Sequence, residues 1–141
     1  MTVPEIVETL RAAYRRWNDT RGQSVTEWVA MMADDVKLRS VADGAEGMEF
    51  SAPRDGKAAL EGYFAALAAD WEMVYHAADQ FLADGDTIVV FGRCAFKHRR
   101  TGKTAETPLI HRWRFRGGLV AECYEYYDTA RAFAAATPDP K

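Results

Sequence analysis

Cysteine is scarce: Cys94 and Cys123 are the only two in 141 residues. They lack the paired spacing of metal ligands and fall within apolar strand patterns, so reduced core thiols and no metal centre are expected, with a disulfide left open. No apolar run approaches the ~20 residues of a membrane span, and the first residues lack the apolar segment of a signal peptide. The expectation is a soluble, cytoplasmic protein with no membrane contact. A dominant charge sign is missing too, with 18 Lys and Arg against 21 Asp and Glu for a net charge of -3. Arg112, Arg114 and Arg116, with His98, Arg99 and Arg100, come nearest to a basic patch. They read as a solvated strand face and a hairpin tip, so nucleic acid is not an expected partner. No repeat, linker or low-complexity tract divides the chain, and its length suits one domain over residues 1–141.

What the chain has is apolar and aromatic mass, 48% and 12% of its residues. That mass builds either a large core or an aromatic-lined cavity. Pro4, Glu5 and Glu8 suit a first helical turn, and Ile6, Leu10, Ala13, Tyr14 and Trp17 recur at helical spacing. Ser24 and Glu27 match a capping box for a short helix that turns Trp28, Met31 and Met32 inward and ends at Asp34 and Asp35. Val36, Leu38 and Ser40 then alternate with Lys37 and Arg39 as a short strand. Val41–Arg54 is a long irregular stretch, either a flap over a pocket mouth or a plain surface excursion. Asp55 is placed to cap a third helix bearing Leu60, Phe64, Leu67 and Trp71 on one stripe. Strands over 72–83 and 87–98 follow, joined at Asp84, Gly85 and Asp86.

The last long segment, Thr107–Asp128, reads as a hairpin about Gly117 and Gly118. A tight two-residue turn with regular pairing would set Arg112 against Cys123 and Arg114 against Ala121, leaving every charge without a partner. A three-residue loop centred on Gly118 sets Arg114 against Glu122, Arg112 against Tyr124 and His111 against Glu125. The second register is preferred. It puts a titratable pair on an apolar face, where burial and mutual hydrogen bonding can bring both pKa values toward neutrality. The pair suits acid-base chemistry or serves only to satisfy itself.

Helices precede four long antiparallel strands, an α+β order in which helices cover one face of a curved sheet. That order resembles the nuclear transport factor 2-like superfamily, also called the cystatin-like fold, and within it the SnoaL-like polyketide cyclases and ketosteroid isomerase relatives. The strings that carry the likeness run from Ala33 to Val36, Pro53 to Gly56, Asp84 to Asp86 and His111 to Phe115, followed by Asp128. The resemblance implies a cone-shaped, mixed-edge antiparallel sheet wrapped around three N-terminal helices and a central apolar pocket. It implies a homodimer mated through the outer face, where Tyr124 and Tyr126 would otherwise be exposed.

The resemblance also implies a pocket lined by Tyr14, Trp17, Trp28, Leu38, Phe64, His111, Trp113 and Glu125. SnoaL-like cyclases carry a His and, fourteen residues on, an Asp; His111 and Glu125 keep that spacing with Glu in place of Asp. The general base of ketosteroid isomerases falls on Ser40, which is counted here with the substrate-binding residues, and their phenol donor falls near Tyr14. The expected activity is acid-base chemistry on a small apolar carbonyl compound (isomerisation, cyclisation or elimination) by His111, Glu125 and Tyr14, without metal or cofactor. Epoxide hydrolysis using Glu125 and Arg93, a non-catalytic domain holding a lipid-like metabolite, and a cone filled by Trp17, Trp28, Met31, Met32 and Trp113 are the alternatives.

Overall fold

The computed structural model describes residues 1–141. Helix α1 (Val3–Asp19) starts at a reciprocal cap, in which Thr2 accepts from the Glu5 amide and Glu5 accepts from the Thr2 amide. Its buried stripe is Ile6, Leu10, Ala13, Tyr14 and Trp17, as the spacing predicts. Helix α2 (Val25–Ala30) is shorter than expected and has no side-chain cap, because Glu27 pairs with Arg16 instead of closing on Ser24. Strand β1 (Met32–Ser40) therefore begins before Asp34 and Asp35. These two acidic residues sit exposed within β1, where its pairing with the last strand shifts register, and they do not end the helix.

The segment after β1 is packed, not loose. Met48 is 1% exposed, and Phe50, on a single 3-10 turn (Glu49–Ser51), meets the rings of Tyr63, Trp71 and Tyr127. A two-residue strand β2 (Arg54–Asp55) then pairs with β1. Asp55 does not cap helix α3 (Lys57–Asp70); it bonds Arg39 at 2.9 Å, and Gly56, at φ 91°, takes the cap position. Trp71 likewise leaves the helical stripe and opens strand β3 (Trp71–Asp84).

Strands β4 (Thr87–His98), β5 (Thr104–Arg116) and β6 (Leu119–Tyr127) complete one six-stranded sheet in the order β2-β1-β6-β5-β4-β3. All neighbours are antiparallel except β1 and β6, which makes the sheet mixed. Helices α1 to α3 fill its concave side, and a fourth, α4 (Thr129–Ala136), capped by Asp128, packs with Met48, Phe50 and Trp71 in a second apolar cluster. No helix is long and apolar enough to cross a membrane.

The hairpin has the expected register for an unexpected reason. Its tip is a tight Gly117-Gly118 turn, with Arg116 opposite Leu119, and not a three-residue loop. A bulge follows: Phe115 pairs with Val120 and Arg114 with Glu122, so Ala121 is the extra residue. Val120 and Ala121 are both buried, and His111 meets Glu125. Glu122 takes both Arg112 and Arg114, at 2.5 and 3.1 Å.

The sheet bends through shifts in the β3–β4 register near Val74 and Asp79. At the second bend Gly92 lies so close to β3 that any Cβ would overlap the carbonyl oxygen of Ala77. Gly92→Ala is expected to lower unfolding stability by roughly 2–4 kcal/mol in urea titration. A loss under about 0.5 kcal/mol would show that the strands part freely there.

Candidate active site

Helices and strands from both layers of the fold bring the site together. Helix α1 supplies Tyr14 and Trp17, α2 supplies Trp28, and β1 supplies Leu38. Helix α3 adds Tyr63 and Phe64, and the β5–β6 hairpin adds His111, Trp113 and Glu125. They enclose an apolar cavity of about 120 Å³. For scale, an apolar cavity of about 150 Å³ admits benzene. The tryptophans fill much of the cone, Trp28 stacking on Trp113 at 5.3 Å, but they do not close it. Ser40 lies outside the wall, its Oγ 2.7 Å from the Tyr127 hydroxyl. Arg93 is exposed and pairs with Asp79 at 3.3 Å, so the cavity holds no arginine for an epoxide-opening arrangement.

Hydrogen bonding fixes the state of His111. The Trp113 indole can only donate, and it donates to the Tyr14 hydroxyl at 2.9 Å. The buried Tyr14 proton then needs an acceptor, which is His111 Nδ1 at 2.6 Å. The imidazole therefore carries its own proton on Nε2, which faces Glu125 Oε2 at 3.9 Å. Tyr63 donates to the same Oε2 at 3.0 Å, while Oε1 is buried with no partner.

Burial decides the charges. Glu125 is 7% exposed, and desolvation lifts its pKa to about 7 against the smaller downward pull of the Ser40 and Tyr63 hydroxyls. Ser40 lies close enough to favour the carboxylate, yet its bonded partner is Tyr127. His111 moves the other way, to about 3, through burial and then the neighbouring His76. Only the carboxyl approaches neutrality; the imidazole stays uncharged, so the two are not an ion pair at pH 7.

His76 was not foreseen. Strict alternation from Met73 would turn Tyr75 inward, but the bulge at Val74 reverses the parity and buries His76 in the wall. Tyr63 stands at i+3 from Leu60, where helical spacing turns it inward beside Phe64.

Residues 10–123 match the family model of the SnoaL-like domain. No curated protein sequence matches the chain significantly. Among solved structures, an NTF2-like protein from Burkholderia thailandensis E264 superposes with a TM-score of 0.81 at 23% identity, covering 98% of this chain and 100% of that one. TerC, co-crystallised with polyporic acid, gives 0.79 at 22% identity, with 93% and 97% covered. A protein of ketosteroid isomerase-like fold from Catenulispora acidiphila DSM 44928, in complex with trimethylamine, gives 0.74 at 18% identity, with 98% and 96% covered. At these identities the superpositions establish the fold.

The raised carboxyl has a consequence for stability. Its folded pKa of about 7 exceeds the ordinary 4.5, so the folded state binds more protons across that window and loses stability as pH rises through it. Glu125→Gln is expected to be more stable than the parent at pH 8 by roughly 2–4 kcal/mol and about equal at pH 4.5, by denaturant titration. An equal effect at both pH values would contradict a carboxylate held against its charge.

Proposed function

The chain belongs to the SnoaL-like domain family, and from that premise we propose that it is an enzyme that removes a proton from carbon beside a carbonyl in a small apolar compound. The observation that carries this reading is the Glu125 carboxyl buried in an apolar cavity with His111 Nε2 at 3.9 Å, a burial that pushes its pKa up to about 7. A general base works best with a pKa near the working pH, and a neutral donor suits an oxyanion whose charge develops during the reaction.

In the step proposed, Glu125 takes the proton. The C–H electron pair forms the enolate double bond, and the carbonyl π pair moves onto oxygen, where His111 Nε2–H donates to it. Tyr14 holds the imidazole in the required tautomer. Returning the proton at another carbon shifts the double bond; expelling a β-hydroxyl, with Glu125–H as the acid, eliminates water. A space of about 120 Å³ favours these outcomes in a molecule about one ring in size over the cyclisation of a long chain. The polyporic acid and trimethylamine held by two proteins of this fold support a small organic ligand.

We further propose that two copies mate through the outer sheet face. Tyr124 and Tyr126 stack there at 4.6 Å, Tyr126 is 41% exposed, and Leu82 is 51% exposed. Tyr126→Lys with Leu82→Lys is expected to turn a dimer into a monomer in sedimentation equilibrium. A parent that sediments as a monomer at all concentrations would contradict this.

Exchange of the α-protons of cyclopentanone in D₂O, followed by NMR, tests the reaction. Exchange should rise with pH to a plateau with a midpoint near 7. Glu125→Gln should slow it by about 10²–10⁴, and His111→Ala by about 10²–10³. Stabilisation of the fold by cyclopentanone with no exchange above the buffer rate would make the domain a binding module, and exchange untouched by Glu125→Gln would remove Glu125 as the base.

A further inference from the structure

Nearly every polar side chain on the cavity wall has a partner. Tyr14 is held between Trp113 and His111, and Tyr63 donates to Glu125. Tyr127 bonds Ser40, and Thr107 bonds the Pro108 carbonyl and the Asp128 amide. His76 is different. Its backbone amide is tied to Asn18 Oδ1 at 2.9 Å, which pins β3 to the end of α1, but its ring makes no hydrogen bond. Two other wall groups are unpaired: the Trp71 indole nitrogen, set against Phe50 and His98 in the second cluster, and Oε1 of Glu125, whose other oxygen is bonded to Tyr63.

A buried polar group without a partner costs about 1–3 kcal/mol, and a phenylalanine in the same place would carry no such penalty. His76 is 6% exposed and lines the cavity, and its Nδ1 is buried with no partner, so the second ring nitrogen, Nε2, is the one assigned to a ligand. His76, His111 and Tyr14 form a triangle of rings with all three centroid distances 5.8 Å. An oxygen accepting an imidazole N–H bond sits about 4 Å from the ring centre. Two rings 5.8 Å apart permit one oxygen to be shared, with an angle near 90° at oxygen.

We infer that His76 is a second hydrogen-bond donor to the substrate's carbonyl oxygen, so that the oxyanion lies between two neutral imidazoles. This rests on the reading of Glu125 as base. It narrows the substrate class to small enolisable ketones and aldehydes whose oxygen is unhindered on both sides. A carbonyl flanked by a bulky group on each side could reach one imidazole but not both.

The test uses ¹⁵N-histidine-labelled protein and 4-fluorophenol, a cavity-sized ring bearing the acceptor oxygen, alongside the cyclopentanone exchange assay. Binding should move the His76 Nε2 resonance as well as that of His111. His76→Phe, which keeps the packing, should weaken 4-fluorophenol binding about tenfold and slow exchange about tenfold or more, while His76→Gln, which keeps an N–H donor, should recover most of both. If His76→Phe does not fold, the parent's His76 resonance and the Gln variant decide. An unmoved His76 resonance, or equal binding and exchange in the parent and His76→Phe, would overturn the inference. Exchange abolished by Glu125→Gln yet indifferent to His76 would sink this inference and leave the base in place. A His76-dependent phenol affinity with no exchange in the parent would sink the base and leave the contact.

Discussion

One carboxyl group taken out of water governs this molecule. Glu125 is enclosed by aromatic rings, with one oxygen bonded to Tyr63 and the other to nothing, so its charged form is disfavoured until about pH 7. An ordinary carboxylate would be a weaker base toward a carbon-bound proton, and a much stronger base would be protonated at neutral pH. Burial sets the group between these limits, at the expense of folding stability above the ordinary carboxylate range. The same burial keeps His111 and His76 uncharged, so the wall carries no fixed positive charge to neutralise the proposed base.

The scaffold exists to hold that group in register. A single bulge at Ala121 brings His111 opposite Glu125, and the tight Gly117-Gly118 tip with regular pairing would have moved one strand's side chains by a residue. From the hairpin the chain of contacts runs inward, from Trp113 through Tyr14 to His111 Nδ1. That chain settles which imidazole nitrogen carries the proton before any ligand arrives. Preorganisation of this kind would remove a reorientation step from the proposed reaction.

Much of this was readable in the sequence, and the failures share a cause. The α1 stripe follows from helical spacing, and the His111–Glu125 pairing follows from matching Arg114 to Glu122, because charge complementarity reports the register whatever produces it. The turn itself does not follow from the pairing, since a bulge and a longer loop shift the register equally. His76 was hidden by the bulge at Val74, which reverses inside and outside beyond it and leaves no mark in composition. Asp55 resembles a cap because it precedes a helix, but its carboxylate pairs with Arg39 and Gly56 stands between it and the first helical residue. Cavity volume is the difference between two large quantities, the cone and its side chains, and no sequence pattern fixes it. Burial of a carboxyl beyond its ordinary pKa is also a tertiary property, invisible until the walls are placed.

The account stands or falls on the ionisation of one side chain. Titration of the Glu125 carboxyl carbon by ¹³C NMR in the intact protein reads it directly. The account predicts a midpoint near 7, well above the ordinary 4.5. A midpoint at or below 4.5 would mean that water reaches the carboxylate, and the proposed base would be lost.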